Sequence, residues 1–401
     1  MNRIKYLLLF VLIAASCTTT NVQRGGRGGG GRGAHRGQRN GNQTTTTTTQ
    51  PGTQTTPVVI NNSSQPVTGL KPSLSGLVCR DFDRIDASGG ADDAMMKITS
   101  GVIIQLYWKD IQTKEGGEIV RGNRVDQAID WVRKFKAKYG VDVPIKIRLY
   151  CGAFSPDWLI NKGSFTLMEE RMPKYWESYY INAFADVQQK LAAIYDNIPE
   201  ISEIVDGATG LKSAENFIRP FGDNGKKQEI GQAFLQAGYT QQNDHDAIIK
   251  SFDAMKVWKH TLVSVCFSSY QYLDSRGNAY ETAEGTEPFI NTFINTFGKQ
   301  AVIGNNGLRT TAGSHGEDFA EGGERYKLYN YFKKVHDDYG VRVYFQTSTT
   351  KRSGSTLNPV IEDGIKYGAE YIELPTAPRE YREMLGNDLE SLNQRVKSNK
   401  K

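Results

Sequence analysis

The sequence predicts an α/β fold, a (β/α)8 TIM barrel preceded by a disordered N-terminal linker, on three observations. Beyond residue 70, eight short β-rich apolar runs alternate with amphipathic stretches. Strands separated by helices pair in parallel through crossovers. The span 71–390, roughly 320 residues, fits a closed ring of eight such units, which takes about 250 residues plus insertions. Finally, the first run leads into Cys79-Arg80-Asp81-Phe82-Asp83 rather than GxGxxG, which disfavours an open doubly wound sheet.

The expected strands are Gly76 to Cys79, Val102 to Tyr107, Ile145 to Tyr150, Ile201 to Asp206, Leu262 to Ser268, Ala301 to Gly304, Val341 to Phe345 and Glu370 to Leu374. Each is bounded by Gly, Asn, Ser or Pro, as buried strands are. Between them, Val125, Ile129, Val132 and Phe135 fall at helical spacing. Tyr179 to Tyr195, Asp246 to Val257, Tyr326 to Tyr339 and Val360 to Tyr367 repeat that pattern. Residues 391–401 read as a polar C-terminal tail.

Residues 1–16 read as an export signal. Arg3 and Lys5 precede an apolar run from Leu7 to Ala15, far short of the roughly 20 residues of a spanning helix. The run ends Ala14-Ala15-Ser16-Cys17, which resembles a bacterial lipoprotein signal. The resemblance implies lipidation of Cys17 and a membrane anchor in the cell envelope, at the outer membrane, with the domain periplasmic or surface-exposed. Residues 17–70 are rich in Gly, Arg, Thr, Gln and Asn, with an Arg-Gly tract and the run Thr44 to Thr49. Such a stretch buries too little apolar surface to offset its ordering entropy, so it is a linker.

Charge excludes a class of partner. All seven Lys/Arg of residues 1–70 lie in that leader and linker, which holds no acidic residue. The remaining 42 basic and 44 acidic residues leave the folded part at −2 rather than the whole-chain +5. A near-neutral domain gives no footprint for nucleic acid. Cys79, Cys151 and Cys266 each fall in or beside a strand without CxxC spacing, and read as buried, unreactive thiols.

In a barrel, chemistry gathers at the C-terminal strand ends. Those ends carry Asp81 and Asp83, Trp108 and Asp110, Arg148 and Tyr150, Asp206 and Thr209, Tyr270, Asn305 and Asn306, Gln346, and Glu373. This polar, aromatic rim suits a carbohydrate: rings stack on sugar faces while amides and carboxylates meet hydroxyls. Asp83, Trp108, Arg148, Trp158, Tyr270, Asn305, Asn306 and Gln346 are the candidate substrate-binding residues.

Two segments carry a family resemblance. Gly101 to Gly116, with Trp108 closing a strand, resembles the segment after the second strand of clan A glycoside hydrolases of the beta-galactosidase-like type. Thr113 stands where those enzymes usually have Pro. Ile145 to Leu159, with Gly152, Pro156 and Trp158, resembles their third strand and its loop. The resemblance implies a glycosidase acting on neutral glycans, with an acid/base Glu after strand four and a carboxylate nucleophile at the end of strand seven. Glu215 is the match to the first, though no Asn precedes it, and a surface or capping role is its alternative. Strand seven instead ends in Gln346, which cannot ionise. Three accounts stay open: the strand count is shifted by one and Glu373 supplies the second carboxylate from strand eight, the reaction inverts with Asp206, Asp83 or Glu373 activating water, or the barrel binds glycan without cutting it. Glu373 could equally pair with Arg148 inside the barrel.

No cofactor or metal site is expected. His315-Gly316-Glu317-Asp318, with Glu321 and Glu324, lacks calcium-loop and zinc spacing. His245, His260 and His336 are scattered, and no GxSxG occurs.

Overall fold

The computed structural model describes residues 68–80, 100–220, 227–310, 316–347, 357–374 and 389–400. Contacts divide the chain into two units, Met1–Leu12 with Ile60–Lys401 and Ile13–Val59; every described residue lies in the first. Cys17 and Asp83, with linker residues 17–67, fall outside the described residues.

Twelve strands are described: β1 (Gly76–Arg80), β2 (Val102–Tyr107), β3 (Ile145–Tyr150), β4 (Ser164–Leu167), β5 (Glu170–Pro173), β6 (Ile201–Asp206), β7 (Leu262–Cys266), β8 (Tyr270–Leu273), β9 (Ala279–Thr282), β10 (Ala301–Leu308), β11 (Arg342–Thr347) and β12 (Ala369–Glu373). Eight of them close a parallel barrel in the order β1-β12-β11-β10-β7-β6-β3-β2, so the predicted TIM barrel is the observed fold. Pairing of Gly76 with Tyr371 and of Cys79 with Val102 seals the ring on both sides of β1. The other four form two antiparallel hairpins, β4–β5 and β8–β9, inserted in loops. Neither hairpin was foreseen.

Period-two alternation sorts the strand residues. In β3, Ile145, Ile147 and Leu149 face the helices and join the main core, which also holds Val125, Ile129, Phe184, Leu191, Ile248, Phe293 and Phe332. Each such fully buried side chain contributes about 1.5–3 kcal/mol. A second, smaller cluster fills the inside of the ring: Leu74, Val78, Ile103, Leu262, Val302, Tyr344 and Tyr371. Gly304 lies opposite Tyr344, whose ring carbon would sit 2.2 Å from an added Cβ, so only glycine fits there.

The helix Arg124–Tyr139 is capped by Asn123, whose side chain accepts from Val125 N and Asp126 N, and stops at left-handed Gly140. Helices Ser178–Tyr195, Gln241–Met255, Glu324–Tyr339 and Leu357–Lys366 match the remaining expected ones to within a few residues. Part of the stretch 391–401, read as a polar tail, is instead helical. The helix Leu389–Ser398 buries Leu392 and Val396, and the Leu77 amide donates to its Asn393 Oδ1 at 2.7 Å. Its apolar residues recur only as Leu389, Leu392 and Val396 among charges, which is why composition hid it.

Two titratable side chains are buried at the end of the barrel opposite the rim. Lys71 Nζ donates to Tyr195 O, Ile201 O and Thr261 Oγ1 at 2.8–3.3 Å, and burial brings its pKa down to about 8. Glu370 is 1% exposed near Ser73, Arg342, Lys400 and Glu203, and burial lifts its carboxyl to about 7. The folded state therefore binds a proton more tightly than the unfolded chain, so stability falls as pH rises from about 4.5 to 7. Replacing Glu370 with Gln should raise the melting temperature at pH 8 relative to wild type, with little gain at pH 4.5. Melts at both pH values check this; an equal shift at each would refute it.

Candidate active site

The inward positions of β3, β6 and β12 carry charge, and those of β11 carry Tyr344 and Gln346. Lys146 Nζ lies 2.9 Å from Glu203 and 3.1 Å from Glu373, donates to Tyr371 Oη at 2.7 Å, and sits 3.4 Å from the Tyr344 ring centroid. Tyr371 Oη donates in turn to Glu203 at 2.6 Å, and its ring stacks on Tyr344. One layer nearer the rim, Arg148 Nη2 reaches both oxygens of Glu373 at 2.7 and 2.6 Å, and Nη1 donates to Gln346 Oε1 at 2.9 Å. Burial alone would push the Glu373 carboxyl up. The adjacent Arg148 and Lys146 outweigh it and hold the carboxyl below the usual range. The alternative of an Arg148–Glu373 pair within the barrel is thus the observed geometry, and Glu373 is 0% exposed.

Above this layer the mouth opens. Glu215 is half-buried there. Its Oε2 accepts from Ser213 Oγ at 2.7 Å, and the Cys266 thiol donates to Oε1 at 3.5 Å. Burial and this neighbouring carboxylate both push the thiol up, keeping Cys266 protonated and unreactive. Gln346 Nε2 donates to Asn306 O at 3.2 Å, and Tyr344 Oη to Asn306 Oδ1 at 3.4 Å, which brings both amides to the same opening. Tyr107 stacks on Phe154 at 4.6 Å, with Tyr150 edge-on to both at 5.5 Å. Burial pushes Tyr150 up to about 12, so its hydroxyl stays a donor.

The loop bearing Glu215 is rigidly built. Asn216 Oδ1 accepts from Thr209 N, and Arg219 Nη1 donates to Thr209 O at 3.1 Å. Asp244, fully buried, pairs with Arg219 at 2.8 Å and accepts from Tyr175 and Tyr270. At Gly152 the β3 loop approaches so closely that a Cβ would lie 2.1 Å from Leu211 O. Its φ of +53° also suits glycine.

Several expected site residues lie elsewhere. Asp206 faces outward: Oδ2 accepts from Ser251 Oγ and Oδ1 from Ala208 N, so it anchors the loop behind the strand. Trp108 follows the outward parity of Ile104 and Leu106. It is fully buried against Trp158, Tyr180 and Phe184, with Nε1 on Gln112. Trp158 donates to Gln112 O behind the same wall. Tyr270 is spent on Asp244. Asn305 donates to Phe267 O and accepts from Gly307 N and Tyr329 Oη on the helix side. One parity step thus separates Asn305 from Asn306. Glu215, Glu373, Arg148, Asn306 and Gln346 remain on the inner side. Tyr107, Phe154, Lys146 and Glu203 were missed, although alternation in Ile145-Lys146-Ile147-Arg148 marked the inward polar face.

Among the described residues no group of three or more His, Cys, Asp or Glu could hold a metal ion, and no helix is long and apolar enough to cross a membrane. A surface groove of about 560 Å³ lined by Gln189, Asp196, Lys256 and His260 opens on the outer wall and includes none of the rim residues.

No family model and no curated protein matches the chain. Solved structures that superpose on it include the catalytic domain of a beta-amylase from Paenibacillus polymyxa, at 10% identity and TM-score 0.47, covering 83% of this chain and 100% of that one. A beta-mannanase from the blue mussel Mytilus edulis gives 12% identity and TM-score 0.39 over 82% and 92%. A D-allulose 3-epimerase from Methylomonas sp. gives 10% and 0.38 over 82% and 97%. Likeness this distant carries no argument about chemistry, and a barrel hosts many activities.

Substituting Glu373 with Gln leaves Arg148 and Lys146 without their shared carboxylate. Breaking a buried pair this way should cost about 3–5 kcal/mol. Urea unfolding of the variant checks it, and a midpoint equal to wild type would refute it.

Proposed function

We propose that the barrel mouth is a carbohydrate site at which Glu215 delivers a proton to a glycosidic oxygen, as in a glycoside hydrolase. The observation that carries this reading is the position of Glu215. It is a half-buried carboxyl on the inner side of the ring, beside Cys266 and on the same rim as Tyr150. Aromatic faces backed by directed amides and a guanidinium recognise sugar rings and hydroxyls, and the near-neutral domain suits an uncharged glycan.

Cleavage needs a second carboxyl about 5 Å away for retention or 6.5–9.5 Å for inversion. Glu373 is the ionised inward carboxylate that fits the requirement for charge. Its full engagement with Arg148, together with the outward turn of Asp206, favours a second reading: a glycan-binding barrel that does not cut. The two readings share a ligand and differ in turnover.

Purified protein assayed on a panel of neutral aryl glycosides should show turnover, and Glu215→Gln should lower kcat/KM by about 10²–10⁴-fold, the usual worth of a general acid. Equal rates for the two forms remove Glu215 from the chemistry. Calorimetric glycan binding with no reducing ends released selects the binding reading.

We further propose that the chain is exported and anchored in the outer membrane of the envelope by lipid on Cys17, with residues 17–70 as tether. Cys17→Ala should abolish labelling by a fatty-acid probe and move the protein from the membrane to the soluble fraction. Labelling retained in the variant would exclude that anchor.

A further inference from the structure

The β8–β9 hairpin rises from the loop after β7 and carries a ladder of three tyrosines. Tyr270 and Tyr272 lie two residues apart on one face of β8, and Tyr280 is the cross-strand partner of Tyr272. Their rings stack in sequence, with centroids 5.4 and 5.3 Å apart and interplanar angles of 26° and 17°. The inner end is fixed: Tyr270 is 4% exposed and bonded to Asp244. The outer end is open: Tyr280 is 45% exposed, one of four exposed large hydrophobics among the described residues.

The turn beside it is equally rigid. Asp274 Oδ1 accepts from Arg276 N and Asn278 N, its Oδ2 accepts from Asn278 Nδ2 at 2.8 Å, and Gly277 takes the φ of +83° that the turn requires. Tyr280 Oη lies 3.4 Å from Asp274 Oδ2. The exposed ring therefore stacks on Tyr272 with its hydroxyl at Asp274, the carboxylate that also meets the Asn278 amide and the exposed guanidinium of Arg276. Such a surface costs little entropy to occupy. The hairpin is also tied to the mouth, since Gln271 Oε1 accepts from the Arg219 amide of the loop that bears Glu215.

We infer that Tyr280 is the stacking platform of an accessory glycan site, taking the apolar face of one sugar ring of a neutral polysaccharide whose chain extends beyond the mouth. A single ring with a polar fringe is far smaller than the ~800 Å² per partner of a stable protein interface, but it matches one pyranose. The inference extends the carbohydrate reading of the mouth and stands on different residues.

The test is native affinity electrophoresis of the full chain in gels cast with soluble galactomannan, mixed-linkage β-glucan or amylopectin. At least one polysaccharide should retard the wild type. Tyr280→Ala should raise the apparent Kd about 3- to 10-fold, the range of an aromatic stacking contact, while Tyr280→Phe, which keeps the face, stays at the wild-type value. Melting temperatures of the variants confirm folding. No retardation of the wild type by any of the three, unchanged retardation in Tyr280→Ala, or equal loss in Ala and Phe variants overturns the proposal. A sedimentation change in Tyr280→Ala, marking a second copy as the occupant, overturns it as well. Aryl-glycoside turnover, measured in parallel, reports on the mouth alone and should not respond to Tyr280→Ala. A mouth that fails to cleave therefore leaves the gel result decisive for the platform.

Discussion

The fold depends on a constraint that apolar packing does not supply: four charges placed inside a ring must neutralise one another. Lys146 and Arg148 project from one strand, Glu203 from the next, and Glu373 from the far side of the barrel. Lys146 and Tyr371, like Arg148 and Glu373, are 225 residues apart in sequence. Neither pair can form until β12 has taken its place in the ring. An ion left alone in that interior would cost several kcal/mol, so the polar interior selects the closed register over slipped ones, in which a one-residue shift would turn these charges toward the helices.

That solution also shapes the mouth. Arg148 bridges two layers, because the group that neutralises Glu373 also hydrogen-bonds Gln346 at the opening. Gln346 in turn contacts Asn306, whose carbonyl accepts its amide. A stable core and an oriented set of donors at the rim are therefore built from the same side chains. Glu215 stands outside this exchange, on a loop whose rigidity comes from the separate Arg219–Asp244 pair. Glu373 and Glu215 thus have different environments, one ionised and locked, the other half-buried at the rim.

Much of this is legible in the sequence. The eight strands were visible because β-branched runs such as Val102 to Tyr107 and Leu262 to Cys266 are bounded by turn residues, and their alternation with helices required parallel closure. The hairpins were not visible, since Ser164 to Leu167 and Ala279 to Thr282 are too short and polar to stand out. The site was legible in outline and blurred by parity. Asn305 and Asn306, or Asp206 and its neighbours, look equivalent in a list of strand ends, yet adjacent residues point to opposite sides of the wall. Counting twos from Lys146 or Glu203 would have separated them. Trp108 and Trp158 misled for a different reason: a tryptophan at a strand end has the area to build either a sugar platform or a core, and here both indoles bond Gln112 behind the barrel.

The helix Leu389–Ser398 has a bearing on how such a molecule comes to be. Its Asn393 accepts the amide proton of Leu77, 316 residues earlier, and β12 is the neighbour of β1. Residues near both limits of the barrel therefore meet at a single seam. During synthesis the first strand must wait, unpaired on that side, until nearly the whole domain has left the ribosome, so the seam closes late.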